Sequence, residues 1–149
     1  MKKIFSGTIL SWVVFGAIAL AAYFINVEVQ SYLGRQALEK TGLVSLRLDE
    51  ALSKAGAENK QVLVDVSAIW CPTCRKLDND VFADAGVRQY INENLAFTRL
   101  EYESEEGQAF LEKYHASGFP TLWLLDQNGR VIKRLRVTFD PEAFLRQLQ

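Results

Sequence analysis

Apolar positions follow two different regimes along this chain. From Ile9 to Val29 they are nearly continuous, interrupted only by Ser11, Asn26 and Glu28. Beyond Arg47 they break into short β-branched runs and helically spaced positions, separated by polar turns. The first regime predicts a helix able to cross a membrane, because a hydrocarbon core takes about 20 apolar residues. Lys2 and Lys3 stand before it. A cleaved signal peptide competes with this reading, since Ala19-Leu20-Ala21 fits a small-x-small cleavage site. The apolar run continues through Ala22, Tyr23, Phe24, Ile25 and Val27, past the point where a signal's core ends, which favours an anchor. Trp12 and Tyr23 suit the two membrane interfaces.

Residues 1–29 are therefore read as an N-terminal membrane anchor (or signal peptide). Residues 30–46, polar and containing Gly34 and Gly42, read as a linker, and residues 47–149 as the folded domain. The basic flank of Lys2 and Lys3 outweighs the balanced Glu28, Arg35, Glu39 and Lys40, so the positive-inside rule keeps the N-terminus in the cytoplasm and the domain outside. Anchor and signal alike export the domain to a compartment where disulfide chemistry proceeds.

Within the domain, Leu48, Ala51, Leu52 and Ala55 have helical spacing. Gln61–Ser67 is apolar and β-branched, a buried strand. A helix is predicted to run from the cysteines to about Val81, and Asp84 caps a second one containing Val87, Tyr90 and Ile91. Residues 96–102 read as a strand, and Ser104 caps a helix with Phe110, Leu111 and Tyr114 on its apolar face. Residues 121–125 and 130–137 form a hairpin around Asp126-Gln127-Asn128-Gly129. Asp140-Pro141-Glu142 starts a final helix. Strands joined through helices, then a hairpin, describe an α/β fold: a mixed β-sheet with helices on both faces.

The chain has 149 residues, enough for one domain and a short extra segment. Its net charge of −1 carries no basic excess of the kind nucleic acid requires. The two cysteines exclude a multi-disulfide scaffold, and neither lies near the N-terminus, which excludes a lipid-modified cysteine anchor. They stand together as Cys71-Pro72-Thr73-Cys74, behind Trp70. Two thiols at this spacing close and reopen a small disulfide, which suits electron exchange. A structural disulfide and half of a zinc site are the alternatives. With a single histidine, a closed zinc site would need carboxylates or a second molecule.

These motifs resemble the thioredoxin superfamily, from about Leu48 to Gln149. Val62-Leu63-Val64-Asp65 followed by Trp70-Cys71-Pro72-Thr73-Cys74 is similar to its first core strand and active-site turn. Lys113-Tyr114 and Gly118-Phe119-Pro120-Thr121 are similar to its segment ending in a cis-proline, and Asp126-Gln127-Asn128-Gly129 to its hairpin turn. Lys60-Gln61-Val62-Leu63 and Val81-Phe82 look most like the periplasmic C-terminal domain of DsbD-type thiol:disulfide interchange proteins.

The resemblance implies a thioredoxin-like fold and a thiol:disulfide oxidoreductase without cofactor or metal. Its implied partners are protein thiols and disulfides together with a recharging protein. The implied place is the inner membrane, single-pass, with the domain in the periplasm. A cysteine at a strand-to-helix turn meets free N–H groups and the positive end of the helix dipole, which makes Cys71 the attacking nucleophile. Cys74, one turn on and more buried, becomes the resolving thiol. Asp65, among Leu63, Val64 and Val66, is read as a buried acid exchanging a proton with Cys74, against an exposed acid at a strand edge.

Pro120 and Phe119 are expected to offer main-chain hydrogen bonds to substrate, and Trp70 to cover the disulfide. Arg99 is read as an ordinary strand residue, His115 as carrying no role, and the run Glu101, Glu103, Glu105, Glu106 as a solvated face. Pro72-Thr73 is neither the Gly-Pro of thioredoxins nor the Pro-His of strong oxidants, and the family's glycine is missing from Arg136-Val137-Thr138-Phe139. Reduction of exported proteins is the favoured direction. A disulfide oxidant or isomerase, or a metal-binding module using the two thiols, are the alternatives.

Overall fold

Every residue of strand β1 (Gln61–Ser67) after Gln61 is buried, and the domain is arranged around it. The computed structural model describes residues 2–149, with side-chain surroundings from Ile9 onward, so the Lys2 and Lys3 flank lies outside the described side chains. The sheet order is β2-β1-β3-β4. Strand β2 (Leu95–Glu101) pairs parallel with β1, β3 (Thr121–Leu125) pairs antiparallel with β1, and β4 (Val131–Leu135) pairs antiparallel with β3. The mixed sheet with helices on both faces is the thioredoxin-like architecture expected.

Alternation along β1 sends Val62, Val64 and Val66 to one face, under α2 (Leu48–Glu58) and α5 (Glu105–Lys113). Leu63 goes to the other face. It packs there with residues of α3 (Pro72–Leu77), the π-helical turn Asp78–Phe82, α4 (Ala85–Asn94) and α6 (Pro141–Leu148). Phe82 anchors this side edge-on to Phe97 and Phe144, with ring centroids 5.7 and 5.6 Å away. Asp65 shares the Leu63 face because it is two residues on. The caps at Asp84, Ser104 and Asp140 each accept backbone N–H groups of the helix they start.

Three elements differ from expectation. The helix after the cysteines widens into a π turn at Asp78, which brings Asp78, Val81 and Phe82 all inward. The returning hairpin strand stops at Leu135, because Gln147 takes the Arg136 N–H at 2.7 Å and draws that residue to α6. The largest difference is at residues 30–46. Helix α1 (Lys2–Thr41) passes through the segment read as a linker without a break. Only Gly42, with φ of 62°, ends it.

Packing explains why Gly34 does not interrupt this helix. Ser31, Gly34, Ala37 and Thr41 form a buried stripe at helical spacing. Gly34 lies so close to the active-site loop that a Cβ there would stand 1.8 Å from the Ile69 carbonyl oxygen. Beside it, Arg75 of α3 donates to the Gln30 side chain at 2.6 Å. The chain then covers the β2 edge, with Leu46 N–H on the Phe97 carbonyl (3.0 Å) and Ser45 Oγ accepting the Arg99 N–H (2.8 Å). The other half of α1 is apolar and exposed, and by length and composition it is a candidate membrane span.

Gly34→Val is expected to lift α1 from the domain while Gly16→Val, at a position with no neighbour within 4 Å, leaves it seated. Limited trypsin digestion reads this as faster cleavage at Lys40 and Arg47 in the first variant alone. Equal protection in both would show that the close approach does not hold the helix.

Candidate active site

Strand β1 delivers the chain into a tight turn, Ala68-Ile69-Trp70, closed by the Cys71 N–H on the Ala68 carbonyl at 3.0 Å. Cys71 follows as the extended N-cap of α3, with Pro72 in the first helical position, where a missing N–H costs nothing. The Cys74 N–H donates to Cys71 Sγ at 3.1 Å. This is the N-cap bond a serine would make, here stabilising negative charge on sulfur. Both residues are free thiols and both are buried, Cys74 at 1 % exposure and Cys71 at 5 %. Burial, reinforced by Cys71 and by the Asp65 charge, pushes the Cys74 thiol far above its ordinary value, so it is held protonated.

Around the sulfurs, Trp70, Tyr102 and Phe119 pack on Ala68, Cys71 and Cys74. The Phe119 ring is 5.3 Å edge-on from Trp70 and 4.4 Å from Tyr102. The Phe119–Pro120 peptide bond is cis, after Gly118 at φ 76°. Pro72 and Thr73 are exposed at the rim. The structure thus gathers Trp70, Cys71, Cys74 and Phe119 in one cluster, with Pro120 next in the chain. Asp65 lies beneath on β1, fully buried.

Arg99 corrects the sequence reading most sharply. Parallel register sets it opposite Asp65, and its side chain is only 6 % exposed. Its Nε lies 3.6 Å from Asp65 Oδ2, an ion pair too long for a hydrogen bond. Its Nη1 donates to Asp78 Oδ1 at 2.7 Å. Burial alone would lower its pKa, but the two carboxylates outweigh that and raise it. Asp65 Oδ1 accepts from the Ser67 hydroxyl at 2.5 Å. Burial still pushes Asp65 above the usual carboxylate range, against the pull of Arg99 and Ser67. Burial likewise brings Asp78 to about 6, with Arg99 opposing the rise.

Glu101 also departs from the solvated face expected. It is half-buried and accepts the Ile69 N–H at 3.1 Å, fixing the loop before the cysteines. Burial raises its pKa. His115, in left-handed backbone just past α5, is no part of the site. Sequence reasoning missed Asp78 as well, although its position one turn after Cys74 places both on one helix face.

Asp78 gives the site a stability signature. An unfolded aspartate titrates near 4, and the folded group near 6. Between those values the folded chain holds the extra proton, so this contribution is complete below the unfolded value and is lost as pH rises through 6. Urea midpoints measured from pH 4 to 7 are expected to fall less steeply with rising pH in Asp78→Asn than in the original chain. Identical slopes would show that Asp78 titrates normally.

Against known proteins, residues 48–149 match the family model for a thioredoxin-like domain. The chain is 29% identical over 124 residues to the thiol:disulfide interchange protein DsbD of Haemophilus influenzae (strain PittEE), covering 80% of this chain and 21% of that protein. It is 34% identical over 98 residues to DsbD of Yersinia pestis (strain Pestoides F), covering 64% and 16%. It therefore spans about a fifth or less of the length of these relatives. Among solved structures, a putative disulphide-isomerase from Bacteroides thetaiotaomicron is 31% identical with a TM-score of 0.61, over 71% of this chain and 88% of that one. The oxidised C-terminal domain of Neisseria meningitidis DsbD shares the fold at TM-score 0.58 and 24% identity, over 68% and 90%. On its family match and on this geometry, the chain belongs to the thioredoxin-like domain family.

Proposed function

We propose that the chain is a thiol:disulfide oxidoreductase, tethered by α1 in the inner membrane with its domain in the periplasm, that donates electrons from Cys71 and Cys74 to disulfides of exported proteins. One observation carries this reading: Cys71 caps α3 with its sulfur on the Cys74 N–H, and a protonated Cys74 waits behind it above a buried acid. The anchor rests on the exposed apolar half of α1, and the orientation on the basic residues before it.

In the forward half-reaction the Cys71 thiolate attacks one sulfur of the substrate disulfide. The substrate S–S bond breaks, a mixed disulfide forms, and the released substrate sulfur takes a proton. Cys74 then gives up its proton and attacks Cys71 Sγ, freeing the second substrate thiol and leaving a Cys71–Cys74 disulfide. Two electrons and two protons pass to the substrate. Asp65, raised above the ordinary carboxylate range, is suited to take the Cys74 proton, and Arg99 beside it favours the ionised carboxylate that accepts it.

Trp70, Pro72, Thr73 and Phe119 form the surface an incoming chain meets, with Pro120 beside them. Pro72 and Thr73 place no charge between the sulfurs, and a dithiol without that stabilisation is the better electron donor. No cofactor is required. The oxidised pair has to be recharged by a second dithiol protein.

Insulin reduction coupled to a small-molecule dithiol is expected to disappear in Cys71→Ser. In Cys74→Ser the first attack proceeds and the mixed disulfide accumulates, visible by mass spectrometry under non-reducing conditions. Retained turnover in Cys71→Ser, or adducts forming on Cys74 instead, would contradict the assignment of roles.

A further inference from the structure

The pairing of β1 with β2 runs out immediately before the cysteine turn. Its last rung is the Tyr102 N–H on the Ser67 carbonyl at 2.8 Å. In an evenly spaced parallel ladder the next rung would join the Ile69 N–H to the Tyr102 carbonyl. That carbonyl is already taken, because the Gln108 side chain donates to it. The chain has turned away there to start α5, with the Ser104 N–H on the Glu101 carbonyl at 3.0 Å. The Ile69 N–H goes instead to the Glu101 carboxylate, at 3.1 Å. A side chain thus supplies the rung that the backbone of β2 no longer offers.

The other side of the same residue is closed as well. A Cβ on Gly34 would stand 1.8 Å from the Ile69 carbonyl oxygen, so α1 lies against that atom. Ile69 is held at its N–H by β2 and at its carbonyl by α1. Around it the turn is closed by the Cys71 N–H on the Ala68 carbonyl, at 3.0 Å. A rotation of the Ile69 peptide is therefore passed through Trp70 to Cys71, whose sulfur accepts the Cys74 N–H at 3.1 Å. That contact stabilises charge on the attacking sulfur. Glu101 also carries a charge, which acts in the opposite sense, since a carboxylate near a thiolate disfavours it. Position and charge make opposite predictions for this one residue.

We propose that Glu101 is a positioning residue for Cys71: by holding the Ile69 N–H, it keeps the turn in the geometry in which Cys71 Sγ meets the Cys74 N–H. The inference rests on the attacking role of Cys71 in the proposed function. It adds a residue that acts through Ile69 rather than on substrate.

The test follows the first attack alone, in the full chain carrying Cys74→Ser, reduced and mixed with dithiobis(nitrobenzoate). The Cys71 thiolate attacks one reagent sulfur, the reagent S–S bond breaks, a Cys71 mixed disulfide forms and a coloured thiolate leaves. Glu101→Ala is expected to slow that release about fivefold, the scale of one lost capping bond. Glu101→Gln keeps an acceptor oxygen at the same reach and is expected to recover most of the loss. Glu101→Asp keeps the charge but falls short by a methylene, and is expected to be as slow as Glu101→Ala. Glu105→Gln removes an exposed acid from the same run and is expected to keep the original rate.

Faster release in both Glu101→Ala and Glu101→Gln overturns the proposal, because charge then outweighs position. A lowered urea midpoint with an unchanged rate in folded Glu101→Ala also overturns it, since the role is then structural. Where Glu101→Ala does not fold, the other two variants decide: Glu101→Asp slower than Glu101→Gln supports the proposal, and equal or faster overturns it. A Cys74→Ser chain that releases no colour removes the attacking role of Cys71 and this inference with it. A reactive chain with the wrong order of variants removes the role of Glu101 alone.

Discussion

A carboxylate buried in the middle of a sheet has to be compensated, and the surroundings of Asp65 follow from that constraint. Parallel pairing of β1 with β2 places Arg99 directly across from it. The π turn after α3 brings Asp78 to the other side of the same guanidinium. The Asp65 charge beneath Cys74 adds to burial in keeping that thiol protonated. Breaking such a set by removing one member leaves an uncompensated buried charge, typically costing 3–5 kcal/mol, about as much as losing a large core side chain. The site's chemistry and the domain's stability therefore share the same three residues.

A second constraint is steric. Helix α1 approaches the active-site loop so closely that only glycine fits at position 34. Glu101 holds the same loop from the other side through the Ile69 N–H. The turn carrying Trp70 and Cys71 is thus pinned between an acid of β2 and a helix that continues into the apolar segment. A domain on a loose tether samples many orientations, whereas this one has a fixed face toward its own helix.

Much of this was legible in the chain. Val62, Val64 and Val66 marked the buried strand, Asp84, Ser104 and Asp140 marked helix starts, and Cys71-Pro72-Thr73-Cys74 marked the chemistry. The misreadings share a physical cause. Gly34 reads as a linker residue in the sequence, because the Ile69 carbonyl that requires it is distant along the chain. Arg99 looked ordinary, because its role depends on strand register, which single-strand patterns do not reveal. Spacing puts Asp78 one turn after Cys74, but its contact with Arg99 depends on a π turn that no propensity signals. Local rhythm predicts elements well, but these three residues take their meaning from what the elements bring together.

On the proposed function, the cysteine pair gives electrons to disulfides of other proteins. The most direct test is the reduction potential of the Cys71–Cys74 couple, measured by equilibration against glutathione or thioredoxin buffers. A value near thioredoxin's, about −270 mV, is predicted. A value near that of the strong oxidant DsbA, about −120 mV, would contradict the account and assign the pair to disulfide formation.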